Sequence, residues 1–313
     1  MANWSRFWAT GAVHLLPMSN GGDQSGAPGE AESLVTAGHP GRALIGWMDD
    51  EQARLALAAW RQDRADDPAL AAQALAAREA VAARDTGIDQ AEIVEDIPNT
   101  LEQHVQQLRQ HQQAAPYFNE GWEVRLVDLR RVGSLQQTVQ AEQAVERVAN
   151  IDPDDIGAVA AVALPDRQES QQLPIQFDES KQTWVVSAAN PNLKIVGHFG
   201  GEVEGHQGFG FIVAVMASFL QVARHHGRYV LRDGYHRAYG LLSRDINKVP
   251  AFVRDFGVGE LGLGAGLFGT DIYLGERPPR LSDFLDDTVA ADVQIPIAQK
   301  MLVVQGIELT TLV

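Results

Sequence analysis

The segment from residue 229 to residue 253 constrains the fold of this chain more than any other. Residues 229–231 are β-formers, and Asp233-Gly234 is a turn dipeptide that also suits the start of a helix. Alanine and leucine then recur at helical spacing, and residues 249–253 favour another strand. The pattern therefore predicts a strand, a tight turn, a helix and a second strand in succession.

The predicted turn has the features of a site for a small anion. The first backbone N–H groups of a helix lack intrahelical partners, and the positive end of the helix dipole lies beside them. Two basic side chains, His236 and Arg237, follow directly, and a guanidinium fork suits a phosphate or carboxylate. We therefore predict phosphate ligands at Gly234, Tyr235, His236 and Arg237.

The distribution of charge supports a small ligand rather than a polymer. The 313-residue chain has a formal net charge of -16, which disfavours nucleic acid and anionic membranes as partners. Residues 224–255 nevertheless carry seven basic and three acidic residues, a local balance of +4. We expect this window to attract a small anionic ligand while the remainder of the chain repels long polyanions.

At residues 228–253 the chain resembles the ParB/sulfiredoxin-like superfamily. In that superfamily a D-G-x-H-R-like turn opens the helix that receives the phosphate groups of a nucleotide, and here the turn runs from Asp233 to Arg237. Residues 122–132 are similar to the segment that opens such domains. The resemblance implies an α/β (α+β) fold with a mixed-sheet core, and a nucleotide, ATP or CTP, bound with Mg²⁺.

Tyr235 departs from the pattern of this superfamily. Sulfiredoxins carry a cysteine just before the His-Arg pair, and ParB-type CTPases carry an acidic residue there. This chain contains no cysteine, so we expect neither sulfinic-acid reduction nor a disulfide or thiolate metal site. No helix-turn-helix DNA reader is evident, which also argues against chromosome partitioning.

The sequence is compatible with three functions. In an enzyme, the helix amides and Arg237 would hold phosphates, His236 would stabilise developing charge, and Asp233 would position Mg²⁺ or accept a proton. ATP-dependent phosphoryl transfer and nucleotide hydrolysis are the reactions we would expect. The same site in a non-catalytic protein would sense a ligand or support a protein interaction. A nuclease is the third alternative, and the acidity of the chain argues against it.

A glycine-rich segment supplies candidate metal ligands. It contains His198, Glu202, Glu204 and His206, whose imidazole and carboxylate groups suit divalent metals. If it folds over the turn, Glu202 or Glu204 could replace the acid that is missing at Tyr235, as a magnesium ligand or a general base. The spacing matches no strict metal signature, so a flexible polar loop is the alternative.

Differences in composition and in predicted secondary structure along the chain divide the sequence into three regions. Residues 1–115 read as a mostly helical accessory region, 116–256 as the ParB/sulfiredoxin-like core, and 257–313 as a glycine-rich loop with a C-terminal edge segment. The predicted helices between residues 49 and 113 could bind a partner protein.

Capping residues mark the beginnings of these accessory helices. Asp49 or Asp50 can cap the first helix, Asp67 the second, and Asn99 or Thr100 the third. Proline directly after Asp67 fits the first position of a helix.

Within the core, five further elements are predicted. They are a strand at 122–129, a helix capped by Ser134 and running to about residue 149, a buried strand at 156–164, a hairpin that turns at 178–180, and an apolar helix at 209–222. The last run is too short to cross a bilayer, which takes about 20 residues. We expect a cytoplasmic protein whose residues 1–18 are mature sequence and not a signal peptide.

Other motifs have a structural explanation beside the functional one. Residues 257–262 match G-x-G-x-x-G, but the glycines that follow would break the required helix, so we interpret the match as coincidence. Tyr235 and Tyr239 share a helix face and could stack on a base or simply pack. His225 and His226 could form a metal pair or interact with the end of a preceding helix.

Overall fold

The computed structural model describes residues 38–59, 64–86, 93–167, 172–190, 192–261, 267–296 and 300–307. It has an α+β fold in which helices pack on several separate sheets, so the α+β part of the predicted fold class is confirmed. The expectation about residues 1–18 falls outside the described residues.

The strands are numbered in chain order. They are β1 Gly38–Ala43, β2 Val94–Glu95, β3 Glu123–Asp128, β4 Gly133–Ser134, β5 Thr138–Gln140, β6 Ile175–Asp178, β7 Thr183–Ala188, β8 Leu193–Val203, β9 His206–Val215, β10 Gln221–His225, β11 Arg228–Asp233, β12 Lys248–Gly257, β13 Ala291–Pro296 and β14 Lys300–Gln305.

The helices are numbered in the same way. They are α1 Asp50–Leu57, α2 Pro68–Ala82, α3 Glu102–Gln110, α4 Ala115–Asn119, α5 Ala141–Val148, α6 Ile156–Ala163, α7 Tyr235–Leu242 and α8 Thr270–Tyr273.

A mixed six-stranded sheet forms the centre of the molecule, with the order β2-β3-β12-β10-β11-β4. The pairs β10/β12 and β11/β4 are parallel, and the other neighbours are antiparallel. Helix α7 connects β11 to β12 and packs against α5. The succession β11, turn, α7 and β12 confirms the strand, turn, helix and strand predicted for residues 229–253.

Three smaller sheets surround this centre. A sheet of order β13-β1-β5 joins distant parts of the chain, and a sheet of order β14-β7-β6 lies near the two-stranded hairpin β8–β9. The hairpin and the β14-β7-β6 sheet share a small core around Val186, Ala188 and Leu193. The main core includes both Leu44 and Phe284, which lie in the first and third predicted regions, and the limits of those regions stay a prediction.

Several local predictions are confirmed by hydrogen bonds. An Asp49 carboxylate oxygen accepts a hydrogen bond from the Gln52 amide at 2.8 Å and caps α1. Asp67 accepts from the Ala69 amide at 2.9 Å and caps α2, which begins at Pro68. The predicted hairpin at 178–180 forms between β6 and β7.

The predicted buried strand at 156–164 is wrong, because these residues form α6. Asp155 caps the helix by accepting from the amides of Gly157 at 2.9 Å and Ala158 at 3.0 Å. A short continuous apolar run has no period that separates a buried helix from a buried strand. Here the aspartate cap and the alanine content favour the helix.

The predicted apolar helix at 209–222 is also wrong, because the run contributes most of β9 and the start of β10. Aromatic and β-branched residues such as Phe211, Ile212 and Val213 favour strands, and β8 supplies the partner that pairs with β9. The segment around His198 is correspondingly part of this hairpin and not a flexible loop.

Two predicted caps are wrong as well. The Ser134 hydroxyl lies in β4 and donates to the Gln136 carbonyl at 2.9 Å, while α5 begins only at Ala141. The third accessory helix, α3, begins at Glu102 after a 3₁₀ turn at Asn99–Leu101, and no side chain caps either element. In both places a competing local turn precedes the helix.

None of the helices in the described ranges is long and apolar enough to cross a membrane.

Candidate functional site

The turn between β11 and α7 is built around Gly234. This residue has φ +95°, in the left-handed region, and a Cβ placed on it would lie 3.0 Å from the Leu220 Cα atom. Only glycine meets both requirements without strain. The turn therefore holds the start of α7 against the segment that leads into β10.

The first amides of α7 have no hydrogen-bond partner among the described residues. Within the described ranges, the backbone amides of Tyr235, His236 and Arg237 donate no hydrogen bond, whereas the Ala238 amide donates to the Gly234 carbonyl at 2.9 Å. These three donors and the helix dipole favour a negatively charged group at this position.

The Arg237 guanidinium lies at the same end of the helix. One amino group, Nη1, donates to the Ser218 carbonyl and, at 3.1 Å, to the Ser218 hydroxyl. No carboxylate oxygen of the described residues lies within 4.0 Å of the guanidinium, and its Nε and Nη2 groups have no partner among these residues. The anchored fork thus retains donors for an incoming anion.

The pKa values show that the positive charges here are poorly compensated. Burial lowers the pKa of Arg237 to about 10, with a further lowering by Arg147 of α5 and a partial offset by Asp233. Burial also lowers the pKa of His236 to about 4, and the charges of Arg147 and Arg237 act in the same direction. His236 is therefore neutral near pH 7, so it can act through hydrogen bonds and not as a cation.

Asp233 is the carboxylate that faces these cations. It accepts a hydrogen bond from the Gly234 amide at 2.7 Å, and the Ser218 hydroxyl lies 3.4 Å from both of its oxygens. Burial raises its pKa, although the Gly234 amide and Arg237 oppose the change. Asp233 and Ser218 are oxygen donors of the type that Mg²⁺ prefers.

The structure adds residues that sequence reasoning missed. Arg147 comes from α5, Ser218 from the segment before β10, and Lys194 from the base of β8. The charge of Asp233 raises the pKa of Lys194, while burial, the largest effect, and the charge of Lys300 lower it. The lysines of the chain are Lys181, Lys194, Lys248 and Lys300, so two of its few lysines meet near this turn.

The two tyrosines of α7 pack into the core. The Tyr235 hydroxyl donates to the Leu231 carbonyl at 2.5 Å and accepts from the amides of Leu135 at 2.8 Å and Gln136 at 3.2 Å. Tyr239 is buried next to Phe284, with ring centroids 6.4 Å apart. Packing is thus the role of both rings, and Tyr235 can reach a ligand only through its backbone amide.

The candidate metal ligands Glu202 and Glu204 lie elsewhere, at the tip of the β8–β9 hairpin. Both are exposed, and Glu204 occupies the turn with φ +51°. Eight residues of strand separate Glu202 from Lys194, a distance of roughly 26 Å. The structure does not bring these glutamates of the same chain to Asp233, and no group of three or more potential metal ligands occurs among the described residues.

The remaining histidine and glycine motifs have structural positions. His225 is buried in β10, where its Nδ1 atom lies 3.1 Å from the Tyr273 hydroxyl, and burial followed by the His226 charge lowers its pKa. His226 is in the turn that follows β10, with φ +48°. Gly257 ends β12, and the G-x-G-x-x-G match runs on to Gly262, which lies outside the described residues.

A cleft of about 360 Å³ is present on another part of the surface, lined among others by Arg84, Arg277 and Asp283. None of the predicted ligands lines this cleft. Arg84 already donates to Asp283 at 2.9 Å and to Asp286 at 2.8 Å, and the Arg277 Nε donates to the Arg84 carbonyl at 2.7 Å. Because these arginines have partners, the start of α7 remains the stronger site for an anion.

Comparisons with known proteins return no match: none of the family models fits the chain, and neither a curated protein nor a solved structure is similar to it.

Proposed function

We propose that this protein binds a small phosphorylated ligand at the start of α7, and that the ligand is a nucleotide. The phosphate part rests on the amides of Tyr235, His236 and Arg237 together with the Arg237 guanidinium. The nucleotide part rests on the resemblance of residues 233–237 to the ParB/sulfiredoxin-like turn, and a core of that kind is part of the proposal.

The observation that carries the proposal is the position of the Arg237 guanidinium, which lies at a helix start with unpaired amides and, among the described residues, is bonded only through Nη1 to Ser218. Burial at this position lowers its pKa to about 10. A guanidinium that loses hydration and is repelled by Arg147 gains from any anion placed between them. The burial cost is therefore present before a ligand arrives, and a phosphate group would supply the missing opposite charge.

The same geometry favours binding over catalysis. His236 is neutral near pH 7 and cannot stabilise developing negative charge as a cation. The carboxylate at the turn, Asp233, has a raised pKa and would hold Mg²⁺ together with the Ser218 hydroxyl. The proposed protein is thus a nucleotide-binding sensor.

Calorimetric titration with ATP, CTP and inorganic pyrophosphate, each with and without Mg²⁺, tests the proposal. We expect saturable binding to the wild type and a loss of at least about tenfold in affinity for Arg237→Gln, because a charge-assisted contact of 1.5–3 kcal/mol is removed.

The matched control is Arg224→Gln, which removes an arginine from the same basic window. Arg224 pairs with Asp255 at 3.2 Å on the surface and is remote from the helix start in the β10–β12 ladder. We expect its affinity to equal that of the wild type. Equal loss in both variants would show nonspecific attraction to the basic window, and no binding by the wild type would exclude the proposed function.

A further inference from the structure

The β8–β9 hairpin and the β14-β7-β6 sheet each turn one face toward the small core that they share. Leu193, Val213 and Val215 define this inner face on the hairpin, because side chains alternate along a strand and directly paired residues share a face. Val186 and its partner Leu302 define the inner face of the sheet in the same way. The two inner faces are therefore in contact at the base of the hairpin.

Beyond this base, both inner faces expose large apolar side chains. Phe211 and Phe209 follow Val213 on the inner face of the hairpin, and Trp184 follows Val186 on the inner face of the sheet. The six side chains of this kind are each at least 41% exposed, and together we call them the inner apolar surface: Ile175, Phe177, Trp184, Ile195, Phe209 and Phe211.

The inner apolar surface is large for a surface exposed to water. From the usual side-chain areas, the exposed parts of the six groups amount to roughly 600 Å². That area reaches the upper end of the apolar patches that monomers expose, and patches of this size mark interaction sites.

The chain that precedes β1 begins close to this surface. Gly38, the first described residue, pairs with Pro296 of β13, and Lys300 begins β14 four residues later. Lys300 pairs with Ala188 of the small core, so Gly38 lies within about 25 Å of Ala188. The chain from residue 18 to Gly38 spans up to roughly 65 Å, and residues 1–18 can therefore reach the inner apolar surface.

The amino acids of residues 1–18 match this surface in chemistry. Arg6 is the only Lys, Arg, Asp or Glu among them, although the whole chain has a formal net charge of -16. On the other side, Glu202 lies on the same face of the hairpin as Phe209, and Glu204 follows in the turn. A basic residue among apolar ones thus complements an apolar surface with an acidic rim. The large apolar residues of the segment include Trp4, Phe7, Trp8, Leu15 and Leu16.

We propose that residues 1–18 bind to the inner apolar surface of their own chain and cover it. A segment of the same chain has an effective concentration of about a millimolar at this surface, so modest contacts are sufficient to hold it there. The occupant is this segment because it has the reach, the apolar side chains and the charge that the surface requires. The inference does not depend on the proposed function of the α7 site.

Cross-linking of the full chain tests the proposal, since the protein has no native cysteine. Ser5→Cys is combined with Gly200→Cys, which lies on the inner face of the hairpin opposite Phe209. The matched control combines Ser5→Cys with Gly201→Cys, the next residue, which lies on the opposite face. An added Cβ meets no heavy atom closer than 3.8 Å at Gly200 and none within 4 Å at Gly201.

With a short bifunctional maleimide, we expect the link from 5 to 200 to form within one chain at least about tenfold faster than the link from 5 to 201. Peptide mapping by mass spectrometry identifies the linked residues. Equal rates overturn the proposal. Links between two chains also overturn it, because they would assign the surface to a second copy.

Two phenylalanines of the hairpin provide a second matched pair. Phe209→Ser removes an inner side chain and should slow the link from 5 to 200 at least about tenfold, because a phenylalanine ring loses its burial. Phe199→Ser removes a ring that is 58% exposed on the opposite face and should leave the rate unchanged. Equal effects of the two substitutions overturn the proposal.

Trp4→Ser/Trp8→Ser tests the segment while every described residue stays as it is. We expect the link from 5 to 200 to slow at least about tenfold and the fluorescence of a dye that binds apolar surfaces to rise, as the inner apolar surface becomes uncovered. An unchanged cross-linking rate with unchanged dye fluorescence overturns the proposal.

Discussion

At the scale of single residues, the Tyr235 side chain has a structural role although it lies within the motif of the candidate site. Its hydroxyl bonds to Leu231, Leu135 and Gln136 and thereby joins β11 to the segment after β4. Tyr235→Phe keeps the shape of the ring but leaves these buried backbone groups unpaired, so we expect the free energy of unfolding to fall by about 2–3 kcal/mol. Urea denaturation measures this loss.

Tyr239 provides the control for that measurement. It lies on the same helix and is buried, but within the described ranges its hydroxyl makes no hydrogen bond. Tyr239→Phe should change stability by less than about 0.5 kcal/mol. If the two variants are equally stable, the network assigned to Tyr235 does not hold the turn.

His236 gives the folding stability a pH dependence of defined sign. Its pKa falls from 6.5 to about 4, chiefly through burial, with Arg147 and Arg237 adding to the effect. Between these values the unfolded chain takes up a proton that the folded protein excludes, so acidification favours unfolding. We expect wild type to lose up to about 3 kcal/mol relative to His236→Gln as the pH falls from 6.5 to 4. Parallel pH profiles of the two proteins would contradict the assigned burial.

At the scale of elements, the start of α7 depends on the backbone of Gly234. An added Cβ would meet the Leu220 Cα at 3.0 Å, and φ is +95°. We expect Gly234→Ala to lower the free energy of unfolding by about 2–3 kcal/mol, the sum of a left-handed penalty and a steric contact. Thermal unfolding followed by circular dichroism provides the measurement.

Gly121 separates these two contributions. Its φ is +86°, but an added Cβ there would have no heavy atom within 4 Å. Gly121→Ala should therefore cost only the backbone penalty of about 1–2 kcal/mol. A cost at Gly234 no larger than that at Gly121 would mean that Leu220 moves aside and does not constrain the turn.

Elements with local signals were predictable, and elements in continuous apolar runs were not. Asp49, Asp67 and the Asp233-Gly234 turn carry chemistry that acts within four residues, and the structure places helix starts at each of them. Residues 156–164 and 209–222 lack a period, so the hydrophobic pattern alone does not distinguish a helix from a strand. In the first run the Asp155 cap favours the helix, and in the second run pairing with β8 favours the strand.

Only the part of the candidate site that lies within one segment of the chain was predictable from the sequence. The turn and Arg237 belong to one segment, whereas Arg147, Lys194 and Ser218 reach it from three other parts of the chain. Their convergence results from the packing of α5 against α7 and from the proximity of Ser218 and of Lys194 in β8 to the turn between β11 and α7. No spacing in the sequence encodes that convergence, although the scarcity of lysine makes Lys194 a residue worth testing.

At the scale of the whole molecule, Arg42 links the first described strand to the last part of the main core. Burial opposes its charge, but hydrogen bonds to Asp292 at 2.9 Å and Asp287 at 2.6 Å outweigh it and raise its pKa. Its Nε also donates to the Phe284 carbonyl at 2.9 Å. Strand β1 pairs along its whole length with β13, so these contacts close a loop of about 250 residues.

Because these contacts close so long a loop, we expect the core still to unfold as one cooperative unit, with lower stability, when the Arg42 contacts are removed. Arg42→Ala removes three hydrogen bonds, but the carboxylates of Asp287 and Asp292 are exposed and become solvated by water. We therefore expect the free energy of unfolding to fall by about 2 kcal/mol. Arg54→Ala, which removes a surface pair with Asp66 at 3.7 Å, should cost less than about 0.5 kcal/mol. Tryptophan fluorescence and far-UV circular dichroism should report coincident transitions in both variants. A separate early transition in Arg42→Ala would show that β1 and β13 detach without unfolding the central sheet.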